Sequence, residues 1–454
     1  MKTKSKLIDK AFYSNLWRIV FPIIIQNLLS AAVSSADVIM LNYVGQSALS
    51  AASLAVQYVN VISMVIYGMG TGATMLCAQY WGKGDKKAVE KVQGIALRIT
   101  IIVGIIVSIA ALTIPRYMML LYTPDEEIIE LGIIYLRIVT LGLIFWCISE
   151  VFIAVVRSIG RVSEATFISI TAPVLNVFLN AVFIFGLFGV PKLGIAGVAL
   201  GTSISRIIQF GVCLVFSSRS KDVKLNFARI FESNKVLWND FIKVAIPAVL
   251  NDVSWGLAYS TYSIIMGHLG SDVVAANSVV TVARNFGTVV GFALAGATGI
   301  ILGQMLGRNE FEKAKAGAHR LVVLSAITGL VGGMIILLVS PFIVSAASLT
   351  QQAKELLRFM LMLQSYYCMG QTVNTAIIVG VFRAGGDTRF GFICDTIDMW
   401  CYAVPLGFIA AFLLRLPVRW VYFLLLTDEF VKWPFVFKRY FSYKWVRNIT
   451  RDNI

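Results

Sequence analysis

The sequence predicts an all-α integral membrane protein: twelve transmembrane helices in two six-helix lobes related as parallel repeats. Three observations carry that expectation: an apolar composition that no soluble fold could cover, a series of stretches long enough to span a bilayer, and a near-constant offset between the two halves. Of 454 residues, 58% are apolar and 14% charged, against about 45–50% and about 25% in soluble domains. Mean hydropathy is +0.80. So few polar residues could not cover that much apolar surface in water. Extended disorder and a small disulfide-stapled secreted domain are excluded by the same figures.

Stretches of about 20 mostly apolar residues fall at approximately 16–42, 48–75, 92–114, 130–155, 164–188, 193–216, 241–267, 274–302, 318–340, 356–382, 391–414 and 417–437. The first follows Lys2, Lys4, Lys6 and Lys10 and precedes Ser30-Ala31-Ala32, the outline of a cleavable signal. It continues through Val38-Ile39-Met40-Leu41, however, so a retained helix is expected. Several connections are short and contain Gly, which makes neighbouring helices antiparallel.

The formal charge of +15 would suggest nucleic acid in a soluble chain. Its distribution says otherwise. One side of the membrane holds the four N-terminal lysines, Lys83 to Lys91, Arg157 and Arg161, the stretch 217–240, Arg308 to Lys315, Arg383 and Arg389, and the tail from Lys438. Together these loops carry 25 Lys and Arg, against five on the other side: Arg116, Lys192, Lys354, Arg415 and Arg419. The positive-inside rule then puts both termini in the cytoplasm of a multi-pass protein of the cell membrane, with no nucleic-acid partner. Six cysteines lie in or beside apolar runs, none in a CxxC or Cys/His cluster, and read as small core residues without metal or disulfide.

Pro22 matches Pro247 at a spacing of 225, as do Gly45 and Gly270, Ala51 and Ala276, Gln79 and Gln304, and Gly82 and Gly307. Arg157-Ser-Ile-Gly160 matches Arg383-Ala-Gly-Gly386 at 226, and so do Pro191 and Pro417. Six spans per repeat make both halves enter from the same face. Residues 1–216 form the N-terminal lobe, 217–240 a cytoplasmic linker, and 241–454 the C-terminal lobe with a short basic tail. Duplication of this kind favours a transporter over a receptor or membrane enzyme.

Several stretches spread from the first helix to the last carry a family resemblance. They are Pro22 to Gly45, Gly72 to Gly82, Arg157 to Gly160, Pro173-Val-Leu-Asn-Val-Phe-Leu-Asn180, Gly194 to Thr202, Arg383-Ala-Gly-Gly-Asp-Thr388 and Asp428-Glu429. In order and spacing the chain resembles the multidrug and toxic compound extrusion (MATE) family. The resemblance implies two six-helix lobes around a central cleft, alternating access, and export driven by inward H⁺ or Na⁺, with no other cofactor and no enzymatic activity. Substrates would be organic cations or other amphipathic small molecules, and the chain would act as a monomer.

An ionisable group at membrane depth is a functional candidate by default. Asp37 lies eight residues before Gly45, roughly 12 Å at helical rise. Asn180 and Thr202 fall at a similar depth, and Asn176 shares a helix face with Asn180. One carboxylate among amide and hydroxyl oxygens suits a proton or Na⁺, and it also suits a polar helix-packing cluster. By resemblance, Asp37, Asn176 and Thr202 fall on cation-site positions of the DNA-damage-inducible branch. Asn180 stands where that branch often has a second Asp, which weakens the case for Na⁺ more than for a proton. In the second half, Asp252, Asp395 and Asp398 are candidates for a substrate or second cation site. Asp252 alternatively pairs with Arg284. Helix ten offers Gln371 and Asn374 where other branches place an acid.

Glu150 and Arg137 remain open between function and structure, while Arg98 and Arg206 read as snorkelling side chains. Prolines at 22, 173, 247 and 405 are hinges or static kinks; Tyr58, Met64, Tyr67 and Met69 are cleft lining or ordinary packing. Gly82-Lys-Gly84 is too short for a phosphate loop. A lipid-linked saccharide flippase of a related plan is the alternative, but its cleft should be rich in Arg. A catalytic set is not evident, with only His268 and His319 in the chain, both near loops.

Single cysteines placed in either terminus or in 217–240 are expected to resist membrane-impermeant thiol reagents in intact cells. Labelling from outside would overturn the topology.

Overall fold

With no water in the bilayer core, a single-chain span must close its hydrogen bonds within itself, which selects helices. The computed structural model describes residues 2–232, 234–347 and 349–452, with side chains from Phe12 onward except at Ser34, Ser35, 37–39 and Asn42. The first half runs α1 (Lys2–Asn42), α2 (Gln46–Lys83), α3 (Lys86–Thr113), a short α4 (Pro115–Leu120), α5 (Glu126–Ser158), α6 (Val162–Phe185) and α7 (Gly194–Arg219). The second runs α8 (Lys235–Gly267), α9 (Ser271–Gly307), α10 (Phe311–Ala346) and α11 (Gln351–Thr375), then α12 (Thr388–Thr396), α13 (Val404–Phe408), α14 (Val418–Leu425), α15 (Asp428–Val431) and α16 (Trp433–Phe441).

The repeat is visible in the backbone. Gly45, before α2, has φ 129° and ψ 160°, and Gly270, before α9, has φ 126° and ψ 161°. Only glycine reaches such angles without strain, so the same turn is written twice at the same place.

Among the described residues, ten helices are long and apolar enough to cross a membrane. The two expected spans outside that set take other local forms. The stretch 356–382 is α11 continued by π-helical turns at Ala376–Phe382, and its buried Gln364, Gln371 and Asn374 lower its hydropathy. The stretch 417–437 is broken into α14, α15 and the start of α16. Asp428, Glu429 and Lys432 interrupt its apolar run, and Pro434 opens α16. Wide π-turns also occupy Ile397–Ala403 and Ile409–Leu413. The first covers Cys401, whose carbonyl faces the missing N–H of Pro405 four residues on.

The chain divides into two compact units, residues 25–242 with 452–454, and residues 1–24 with 243–451. The grouping departs from the expected lobe boundaries at the N-terminus, where the opening turns of α1 pack with the second half. There the Arg320 guanidinium lies 5.8 Å over the Phe12 ring.

In the N-terminal unit α5 is the central helix, packed by α2, α3, α6 and α7. The segment 217–240 is strapped to this unit. Asp222 binds Lys86 at 2.8 Å and Arg161 at 2.7 Å. The hydrogen bond from Lys86, with Arg161 beside it, holds the Asp222 carboxyl below the usual range. Arg98, expected to snorkel, instead donates to the carbonyls of Ile230 at 2.6 Å and Glu232 at 2.7 Å.

In the C-terminal unit α9 packs on α10 and α11, and the tail is folded back. Trp445 is fully buried, Asp387 is bound by Arg439 at 2.7 Å and Arg447 at 3.2 Å, and Asn448 donates to Asn309 at 2.7 Å. The tail lies so close to the Arg383–Thr388 turn that a Cβ on Gly385 would sit 1.6 Å from the Trp445 carbonyl oxygen.

Gly385→Ala is therefore expected to expel the tail and cost about 1–3 kcal/mol, the usual range for overpacking. Thermal unfolding of the purified protein and protease sensitivity after Phe441 check it; an unchanged tail would refute the close approach.

Candidate functional site

The N-terminal unit encloses a cavity of 570 Å³ lined by α1, α2, α5, α6 and α7. Its polar wall starts one helical turn past Pro22. There the Gln26 carbonyl accepts from Arg157 at 3.0 Å, and its amide nitrogen donates to the Ser169 hydroxyl at 2.6 Å. Glu150 accepts from the Trp146 indole at 3.1 Å, and the Arg206 guanidinium stacks on the same indole at 4.7 Å. Arg206 thus lines a cavity instead of snorkelling, whereas Arg137 is exposed. Of the helix-two residues considered as lining, Tyr67 faces the cavity, while Met69 is buried and Tyr58 donates to the Met118 carbonyl.

Asn176 and Thr202 line this cavity, and Asn180 is bonded to Asn176 from behind. Asn180 donates to the Asn176 side-chain oxygen at 3.2 Å, Asn176 donates to the Thr202 hydroxyl at 3.1 Å, and Thr202 donates to the Val198 carbonyl at 3.0 Å. Gly201 makes room, since a Cβ there would meet Asn180 Oδ1 at 2.4 Å. The side chain of Asp37 lies outside the described residues; its backbone is in α1.

The C-terminal unit holds a smaller cavity of 260 Å³. One turn past Pro247, the Asn251 carbonyl accepts from Arg383 at 2.9 Å, and its amide donates to Asp395 at 2.9 Å. Arg383 also binds Asp252 at 2.6 Å. Lys432 reaches Asp395 and Glu429 at 3.1 Å each and Asp398 at 3.6 Å. Asn374 donates to the Glu429 carboxylate at 2.6 Å, and the Tyr262 hydroxyl donates to Asp428 at 3.3 Å.

Two expectations are corrected here. The partner of Asp252 is Arg383, and Arg284 instead lies 4.8 Å over the Tyr259 ring. Arg383, counted above among loop charges, is only 5% exposed, since its guanidinium turns into the unit to meet Asn251 and Asp252.

The sequence model of the MatE family matches residues 22–182 and 247–409. It matches the chain once per repeat, starting at Pro22 and at Pro247. The chain belongs to the MatE family. Over 97% of its length it is 26% identical to the uncharacterized transporter YisQ of Bacillus subtilis, of which 96% is covered. It is 22% identical to the probable multidrug resistance protein NorM of Thermotoga maritima, with 97% of this chain and 95% of that protein covered. A solved MATE structure in the straight conformation shares the fold at TM-score 0.85 and 20% identity, covering 95% of this chain and 96% of that one. The protein is a multi-pass membrane transporter of the MATE multidrug efflux family, with the family's twelve-helix fold.

As a MatE transporter it repeats its polar site as well as its helices. Gln26 and Asn251 are 225 apart; Arg157 and Arg383, Ser169 and Asp395, Thr202 and Asp428, and Arg206 and Lys432 are each 226 apart. Lys432, Asn251 and Arg383 were missed as site residues, and Asp428-Glu429 was read only as a family motif. Lys432 carried a signal, since it is a basic residue inside an expected span. Asn251 carried another, since it stands one turn after a repeated proline.

Arg383→Met should strand Asp252 and the Asn251 carbonyl and destabilise the protein by about 3 kcal/mol. Adding Asp252→Asn should recover much of that loss. Arg284→Gln combined with Asp252→Asn should be additive in unfolding of the purified protein. Coupling to Arg284 and none to Arg383 would refute the pairing.

Proposed function

We propose that the chain is a secondary active exporter of organic cations or other amphipathic compounds, exchanging them for H⁺ or Na⁺ by alternating access. The observation that carries this reading is the chain of hydrogen bonds from Asn180 through Asn176 to Thr202 at the 570 Å³ cavity of the N-terminal unit. Asp37 is the hypothesised coupling residue. The repeat supplies an argument for it. In the C-terminal unit Tyr262 donates to Asp428, and their counterparts by spacing are Asp37 and Thr202. By spacing, the sequence thus puts one acid and one hydroxyl at this pair of positions in both halves, with the acid on the other helix.

A carboxylate among neutral oxygens, away from water, favours its neutral or cation-loaded form. It then loads from the outside and releases to the cytoplasm as the unit changes shape. Asp252 and Asp395, in a cavity beside Trp255 and Phe292, with Asp398 behind them on Lys432, form a second candidate site in which an acid meets aromatic surface, as an amphipathic cation requires. The relatives named for multidrug resistance support the exporter over the flippase alternative.

Asp37→Asn, which mimics the loaded state, should keep substrate binding and lose exchange driven by an imposed pH or Na⁺ gradient in proteoliposomes. Transport at the wild-type rate would move coupling to the C-terminal acids.

A further inference from the structure

The C-terminal unit buries more acid than base. Asp252, Asp395, Asp398, Asp428 and Glu429 face two cations, Arg383 and Lys432. Arg383 is committed to Asp252 and Asn251. Lys432 alone therefore serves the inner carboxylates. It is 3% exposed, and Asp395, Asp398, Asp428 and Glu429 are 4%, 6%, 0% and 1% exposed. Burying such a group uncompensated costs several kcal/mol per charge, so three carboxylates that converge are relieved by protonation or by a cation among them, and here Lys432 Nζ stands at that point.

We propose that Lys432 is the resident cation of this unit: its ammonium fills the seat that an alkali-metal ion would take among Asp395, Asp398 and Glu429, and so keeps Na⁺ out. The claim rests on the exporter reading for its meaning, since it assigns any Na⁺ dependence of exchange to the Asp37 site. Two Nζ···O separations of 3.1 Å are those of N–H···O bonds. A hard ion of Na⁺ radius needs roughly 2.3–2.6 Å, as Ca²⁺ does.

The ammonium is tethered by its own side chain, and a free ion would have to displace it. With the ammonium in place the three carboxylates stand too far apart to form a metal site themselves, and among the described residues no three acidic, His or Cys groups are gathered to hold a metal ion; a seat for Na⁺ opens only if they close in once the ammonium is gone. The seat nevertheless keeps spare acceptors. Glu429 Oε1 and Asn374 Oδ1 are buried and accept no hydrogen bond. They are oxygens that an ion entering in place of the ammonium would use.

The repeat gives an independent argument. Arg206, the counterpart of Lys432 at a spacing of 226, lines the cavity of the N-terminal unit. Both halves put a fixed cation at this point of their last long segment. What differs is its company. In the C-terminal unit Ser169 is replaced by Asp395 and Thr202 by Asp428, and the basic residue becomes an internal counter-ion.

The test uses the full chain carrying Asp37→Asn, which silences the N-terminal candidate, and compares thermal unfolding in sodium and choline chloride at equal ionic strength. With Lys432 present, Na⁺ should give no specific shift, and Lys432→Arg should behave alike. Lys432→Gln should unfold earlier in choline and gain a saturable upward shift in Na⁺, which a further Asp395→Asn abolishes. A Na⁺-specific shift that needs Asp395 while Lys432 is intact would overturn the proposal, as would Lys432→Gln with no Na⁺ response. If Lys432→Gln is recovered in neither salt, Lys432→Gln with Asp398→Asn retains two of the three carboxylates. Absence of a Na⁺ response there also overturns the proposal. Because unfolding and not transport is read, failure of the exporter reading would leave this outcome untouched.

Discussion

A guanidinium donating to an amide one turn past a proline is the contact on which both halves are built. Arg157 meets Gln26 four residues after Pro22, and Arg383 meets Asn251 four residues after Pro247. Proline removes a backbone hydrogen bond and loosens the helix at that turn. The arginine, delivered from the far end of another helix, ties the loosened segment from outside. The amide then passes the bond on, to a hydroxyl in one half and to a carboxylate in the other. The rest of each polar interior follows from that third residue.

With Ser169 as the third member, the N-terminal unit needs no extra charge there, and its wall is assembled from neutral amides and hydroxyls around Glu150, Arg157 and Arg206. With Asp395 the C-terminal unit must supply a second cation, and Lys432 provides it. That requirement explains the broken last span. Acids and a base at i and i+3, Glu429 and Lys432, have to turn inward together, and a single straight apolar helix would not gather Asp428 to Tyr262 as well. Short α15, between α14 and α16, brings these side chains inward at the cost of regular helix.

Much of this was legible in the sequence because it depends on local rules. The apolar stretches, the repeated Pro and Gly positions and the shared face of Asn176 and Asn180 each follow from one periodicity. The remainder depends on which side chains meet across helices. Asp252 was set against Arg284 in the same half, whereas in the fold Arg383 turns inward to it and Arg284 goes to Tyr259. Nothing in a single sequence announces which guanidinium reaches across. Lys432 was overlooked because the average hydropathy of its span hides one charge, although burial of a lone ammonium demands partners whatever the average says. The repeat holds the better clue: at the spacing of 226, Lys432 stands opposite Arg206 and Asp395 opposite Ser169.

The two halves thus answer one constraint, charge in a low-dielectric interior, in opposite ways. An exchanger needs a site whose charge changes during the cycle and a frame that does not change with it. A carboxylate among neutral oxygens is sensitive to a single proton or ion, since none of its immediate neighbours carries a compensating charge. A carboxylate held by a tethered ammonium is insensitive for the same electrostatic reason, because the compensating charge cannot leave. If Asp37 is the coupling residue proposed above, the N-terminal unit is the half that answers to an ion gradient. The C-terminal unit, with Arg383 and Lys432 paired among its acids, is by the same electrostatics the half whose charges compensate one another within the protein.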